Sequence, residues 1–192
     1  MSGKAQGQLR IIGGKWRSRK LTFPQQGNLR PTPDRVRETV FNWLQAEVSG
    51  SCCLDMFAGS GALGFEAASR GAGEVVMIEQ NRDAASALTR NIKLLDAGNI
   101  QLVIADAIEW LKNNQRAFDI VFLDPPYKAD LLGKCCEALE SGQSLAENAK
   151  IYLEHALGDD KIVIPESWEC LKNKSAGQVT YKLFSRASPH IA

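Results

Sequence analysis

The sequence lacks any long apolar run. No segment approaches ~18 uninterrupted apolar residues, so no membrane span is expected. The opening MSGKAQGQLR has no apolar core before a small-residue cleavage site, so a secretory signal is not expected either. Internal repeats and low-complexity runs are absent, which excludes solenoids and arrays. Cysteine is sparse and odd in number: Cys52, Cys53, Cys135, Cys136 and Cys170. The two adjacent pairs lack the two-residue gap that zinc ligands need, so no metal site is expected. The reading for all five is small buried hydrophobes in a reducing cytoplasm. Net charge is also nearly missing, at +1. As an average it speaks against a nucleic-acid binder, whose usual footprint is basic.

What is present is an ordinary globular composition, 44% apolar and 23% charged over 192 residues. That length suits one domain, or one with a small appendage. The charge average hides a division. Residues 1–40 hold nine basic and two acidic side chains, a local net of +7, and residues 41–192 carry a net of −6. The expected organisation is a basic N-terminal hairpin arm over 1–30 and a second unit over 31–192.

In the arm, LRIIGGKWRSRKL reads as two short strands turning at Gly13-Gly14. Arg10, Lys15, Arg17, Arg19 and Lys20 surround Trp16. Clustered cations can neutralise phosphates, and an indole can stack on an unpaired base. Thr32 suits a helix N-cap, Pro33 the first helical position and Asp34 the positive helix start. An apolar stripe from Val36 to Val48 predicts a helix to about Glu47. From Ser51 strands and helices alternate. Strands are predicted at 52–57, 74–79, 100–106, 118–124 and 150–155, with a closing hairpin of 168–171 and 179–184. Continuously apolar strands separated by helices make a mostly parallel α/β sheet covered on both faces, here with an antiparallel C-terminal edge. Such sheets bind ligands beyond the carboxyl ends of their strands.

The polar signatures fall at those ends. Asp55 closes the first of these strands, and the loop after it runs through Phe57, Ala58, Gly59, Ser60 and Gly61 to Gly64. Gly59, Gly61 and Gly64 make a GxGxxG that opens a helix, where glycine allows a tight turn and close backbone approach to a ligand. Glu79 ends the second strand, where an acid can hold ribose hydroxyls. Asp106 ends the third, within reach of an adenine amino group. These acids describe a pocket for an adenosine-bearing cofactor. A nicotinamide dinucleotide uses a similar loop and acid. S-adenosylmethionine is cationic and has an ammonium group that Asp55 can meet.

The fourth strand ends in Asp124-Pro125-Pro126-Tyr127. The exocyclic amine of a base is a poor nucleophile, because its lone pair is delocalised into the ring. The Asp124 carboxylate and the Pro125 carbonyl can accept its N–H bonds and direct the lone pair outward. Proline presets that carbonyl, and Tyr127 can stack on the base. The motif specifies an amino nitrogen; it does not say which base.

Taken with LRIIGGKWRSRKL and LRPTPDRVRETVFNWL, the series DMFAGSGALG, Glu79, Asp106 and DPPY resembles the bacterial RsmD family over most of the chain. The resemblance implies a Rossmann-like methyltransferase with a seven-stranded sheet and an N-terminal hairpin. It implies S-adenosylmethionine as cofactor and N2 of guanine 966 in 16S ribosomal RNA as acceptor, in free RNA or an assembling small subunit. Asp55, Phe57, Gly59 and Gly61 would surround the methionine part, Glu79 the ribose, and Asp106 with Ala107 the adenine. Asp124 to Tyr127 would hold the guanine amino group. Arg30 to Thr32 would lie beside cofactor and entering base. A cytoplasmic monomer is expected. A DNA adenine-N6 methyltransferase, a nicotinamide oxidoreductase and a non-catalytic RNA-binding module are the competing readings. No role is expected for His155 or His190.

Overall fold

A computed structural model describes residues 6–25, 31–126, 129–158 and 162–187. Arg30 and Tyr127 lie outside these residues. The elements run β1 (Gln6–Arg10), β2 (Lys20–Pro24), α1 (Asp34–Trp43), β3 (Cys52–Asp55), α2 (Ala62–Ser69), β4 (Glu74–Ile78), α3 (Arg82–Leu95), β5 (Ile100–Val103), α4 (Ala107–Asn113), β6 (Phe118–Leu123), α5 (Ala129–Ser141), β7 (Leu145–Ala156), β8 (Trp168–Ala176) and β9 (Val179–Arg186).

Seven strands form one sheet in the order β5-β4-β3-β6-β7-β9-β8. β5, β4, β3, β6 and β7 are parallel, and β9 runs antiparallel to both β7 and β8. The expected mostly parallel sheet with an antiparallel C-terminal edge is therefore found. The chain enters the sheet at β3, works outward through β4 to β5, then returns to β6 on the other side of β3. The reversal makes a topological switch point between β3 and β6, where such sheets open a crevice. Asp55 and Asp124 sit at its two sides.

One face of the sheet packs against α1, α2 and α3 together with the β1–β2 hairpin, around Phe41, Phe65, Leu88, Phe122 and Tyr152. The other packs against α4 and α5, around Leu111, Cys135, Cys136, Leu139 and Trp168. Cys53, Cys135 and Cys136 are buried as expected, and burial pushes each thiol up to about 12. Cys52 and Cys170 depart from that reading: Cys52 is only partly buried, and Cys170 lies exposed on the outermost strand, β8. Among the described residues, no helix is long and apolar enough to cross a membrane.

The hairpin differs from the expected tight turn. β1 and β2 pair from Gln6↔Pro24 to Arg10↔Lys20, so residues 11–19 form a long loop and Gly13-Gly14 is not the turn between strands. The loop instead docks on α2. The Ile12 and Gly13 amides donate to the Glu66 carboxylate at 2.9 and 2.8 Å. The Lys15 amide donates to the Ser69 carbonyl at 2.7 Å, satisfying a group that a helix end leaves orphaned. Gly14 has φ +73°, and a side chain there would collide with the Ser69 backbone. Glycine is required at this position for docking.

Candidate active site

The glycine loop is held by the ends of two strands. The Met56 amide donates to the Phe122 carbonyl at 3.2 Å, and the Ala58 amide to the Ile78 carbonyl at 3.0 Å. Gly59 and Gly61 have φ of +53° and +82°, values that glycine reaches without strain. Ser60 is buried in the loop, and Phe57 packs partly buried on the α4–α5 side. Asp55 is buried, and its Oδ2 accepts the Gly64 amide at 3.0 Å. A Cβ on Gly64 would press on Met77 and sit 3.0 Å from that same oxygen. The third glycine of the motif thus makes room for the Asp55 carboxylate. Burial pushes Asp55 up to about 7, against the lowering effect of its backbone hydrogen bonds.

Glu79 spans the far side of the loop. Its Oε2 accepts the Gly59 amide at 2.8 Å and its Oε1 the Asn81 amide at 2.7 Å. The side chain is half-buried, and a carboxylate has lone pairs left for further donors. Asp106 is exposed and caps α4, accepting from the Ile108 and Glu109 amides at 3.0 Å each. Ala107, the first residue of that helix, is buried.

Asp124 stands on the β6 side of the switch point. Its Oδ2 accepts a hydrogen bond from the Thr32 hydroxyl at 3.2 Å. Thr32 therefore does not cap α1, as the sequence suggested; the cap position falls on Pro33, which makes no side-chain cap bond. The hydroxyl bonds Asp124 instead. Burial, then the nearby charge of Glu154, push the Asp124 carboxyl well above the usual range; the Thr32 bond opposes this, and Asp55 adds to it. Pro125 is buried and Pro126 exposed.

Two features of this region carried no role in the sequence reading. The first is Arg37, wholly buried, whose guanidinium donates to the Thr32 carbonyl (3.2 Å), the Arg10 carbonyl (2.8 Å), Asp34 (2.7 Å) and Glu66 (3.2 Å). It joins the arm, α1 and α2 to the segment that meets Asp124. The second is the buried pair Tyr152 and Glu154 on β7, whose hydroxyl and Oε2 are 2.8 Å apart. A signal for it existed: an acid near the end of a continuously apolar strand, as at Asp55 and Asp124.

In the arm, Arg10, Lys15, Arg17, Arg19 and Lys20 are exposed. Arg10 pairs with Asp34 at 3.1 Å, and Arg19 donates to the Leu94 carbonyl at 3.4 Å. Trp16 corrects an expectation. It is 7% exposed and packs in the core, with its amide bonded to the Ser69 hydroxyl at 2.9 Å. A buried indole presents no face to an unpaired base, so any nucleic-acid contact of the arm falls to the cations around it.

The chemistry of the donor set discriminates between the two cofactors. Asp55 and Asp124 stand at the two sides of the switch point, Glu154 on the neighbouring β7 acts on Asp124 by its charge, and residues 56–61 contain no cation. A dinucleotide pyrophosphate would face this negative field unpaired. A sulfonium with an ammonium group is the charge such a field favours. Asp55, Glu79 and Asp106 stand at three successive strand ends of this edge of the sheet.

Comparison with known proteins agrees. The family described as Conserved hypothetical protein 95 matches residues 9–185. Ribosomal RNA small subunit methyltransferase D of Escherichia coli K12 is 45% identical over 180 residues, covering 94% of this chain and 91% of its own. The solved structure of yhhF from Escherichia coli matches with a TM-score of 0.89 at 43% identity, covering 94% of this chain and 99% of that one. A solved structure described as SMU.776 complexed with SAH shares the fold, with a TM-score of 0.72 at 16% identity, over 96% of this chain and 57% of that one. With a glycine loop pinned between strand-end acids, and a match of this extent along both chains, the chain belongs to the family of ribosomal RNA small subunit methyltransferase D.

Proposed function

We propose that the chain transfers a methyl group from S-adenosylmethionine to the exocyclic N2 of one guanine, guanine 966, of 16S ribosomal RNA. Methyl transfer to ribosomal RNA follows from membership of the family; the atom and the base are the finer part of the reading. The observation that supports it most is the facing of Asp55 and Asp124 across the switch point, one under the glycine loop and the other beside Thr32.

The bound cofactor supplies a methyl group already activated by its sulfonium, so the protein's task is position and electrostatics. Asp55 takes the ammonium end, with Phe57, Ala58, Gly59, Ser60 and Gly61 around the methionine part. Glu79 takes the ribose hydroxyls, and Asp106 with Ala107 the adenine edge. Thr32 borders the cofactor. Asp124 and the Pro125 carbonyl accept the two amino N–H bonds, Pro126 keeps that backbone rigid, and Tyr127 stacks on the base. The base must leave its stack to enter. Arg10, Lys15, Arg17, Arg19, Lys20 and Arg30 neutralise flanking phosphates. The enzyme works as a monomer in the cytoplasm, on free 16S RNA or an assembling small subunit.

The test is transfer of a tritiated methyl group from S-adenosylmethionine to small-subunit RNA, to assembling particles and to DNA, with the product mapped by mass. Label at N2 of guanine 966 is the expected result, lost in Asp124→Ala while cofactor binding is retained. Label in DNA alone overturns the reading and favours adenine-N6 chemistry.

A further inference from the structure

Glu154 is a costly residue for a fold to keep. It is 4% exposed, near the carboxyl end of β7, directly after the buried Ile151, Tyr152 and Leu153. Burying a carboxylate costs several kcal/mol unless its surroundings repay it. β6 and β7 are parallel and paired through Leu123↔Leu153, so the next step along both strands brings Asp124 and Glu154 side by side. Phe122 and Tyr152, one alternation earlier, touch at a ring separation of 6.3 Å. Strand alternation therefore puts Asp124 and Glu154 on the same face of the sheet. Tyr152 donates its hydroxyl to Glu154 at 2.8 Å. On the other side Glu154 pairs in register with Tyr181 of β9, over which Trp43 of α1 stacks at 5.4 Å.

We propose that Glu154 is a positioning residue for methyl transfer: from the neighbouring strand it makes Asp124 the acceptor of the proton that the amino nitrogen loses. The proposal rests on the reading of Asp124 given above. As the N2–carbon bond forms, the sulfur–carbon bond breaks and its electron pair stays on sulfur. The amino nitrogen, now bearing the positive charge, must give up one proton to recover a neutral amine. A solvated carboxylate is too weak a base to take it well. A carboxylate beside a second buried one holds a proton more tightly, since like charges disfavour double ionisation. Brønsted behaviour makes such a group the better acceptor. Among the described residues, Tyr152 on β7, Tyr181 on β9, Asp55 on β3 and the Thr32 hydroxyl ahead of α1 face this pair. The Tyr152 hydroxyl donates to Glu154, and a hydrogen bond donated to a carboxylate favours its charged form.

The test is the pH dependence of single-turnover methyl transfer to the accepted ribosomal substrate by wild type, Glu154→Gln, Glu154→Asp, Tyr152→Phe and Asp124→Asn. Cofactor affinity is measured by calorimetry on each. Glu154→Gln removes the neighbouring charge, so it slows transfer by about tenfold. It also moves the acid limb of the rate profile about one unit lower, with cofactor affinity within about threefold of wild type. Glu154→Asp restores the limb, and Tyr152→Phe moves it in the direction of Glu154→Gln. An unchanged rate and acid limb in Glu154→Gln overturns the proposal. If Glu154→Gln fails to fold, Tyr152→Phe decides, and an unmoved limb there overturns it. Full activity of Asp124→Asn sinks the underlying reading of Asp124. An inactive Asp124→Asn beside an unaltered Glu154→Gln keeps that reading and removes Glu154 from it.

Discussion

Asp55 carries two opposed demands. The loop needs its carboxylate to accept the Gly64 amide, and burial makes the charged form expensive. With a folded value of about 7 against an ordinary 3.8, the folded chain binds this proton more tightly than the unfolded chain does. The contribution of Asp55 to stability is then most favourable below its unfolded value. It declines as pH rises through that value toward 7, by at most about 1.4 kcal/mol per unit. Asp55→Asn keeps an acceptor for Gly64 and loses the charge. Urea titrations at pH 5 and pH 8 will show the variant's stability relative to wild type greater at pH 8 than at pH 5, while it binds a cationic cofactor less tightly. Equal differences at the two values would contradict the assignment. Asp55, Glu79, Asp106 and Asp124 were legible in the sequence because each follows an apolar strand. Arg37 and Glu66 were not, because a charged residue on a helix is ordinarily solvated. Only the third layer, the arm laid over α2, makes them interior.

At the scale of elements, α2 is the joint. All eight of its residues are buried, which no helix achieves against a sheet alone. The arm's loop covers its other side, and Glu66 binds that cover through the Ile12 and Gly13 amides while also pairing with Arg37 and Arg70. Glu66→Ala takes one partner from the buried Arg37 guanidinium, which keeps Asp34 and two carbonyls, and leaves the Ile12 and Gly13 amides without their acceptor, so it costs about 3–5 kcal/mol of stability. Denaturant unfolding measures the loss, and proteolysis within residues 11–19 reads the loosened arm. A cost under about 1 kcal/mol would mean that the network is water-bridged and replaceable. Strand and helix order was legible from period and punctuation. The hairpin turn was misplaced because Gly13-Gly14 satisfies two different needs equally well in one dimension: a two-residue turn, and a close approach to another element's backbone. Likewise Thr32 has the composition of a cap, and a partner 92 positions away claims its hydroxyl.

The whole molecule separates its charges: cations on the arm, acids at the switch point. If the arm tracks phosphates, Arg17→Glu with Arg19→Glu weakens RNA binding and lowers the slope of log K against log salt by about 0.7 for each phosphate no longer neutralised. Filter binding across a salt series tests this, and an unaltered slope removes the arm from recognition. The near-neutral total conceals this arrangement, whereas the split at residue 40 reveals it. The strand order adds a consequence of another kind. β9 follows β8 in the chain yet lies between β8 and β7. During synthesis β7, buried over Ile151–His155, waits with one hydrogen-bonding edge unpaired until the last strand emerges. β8, mostly exposed, cannot close that edge first without displacing β9. The sheet is therefore completed only when the β8–β9 ribbon arrives as a unit. A nascent chain stopped before Val179 would carry an apolar open edge, the kind that recruits another chain's strand.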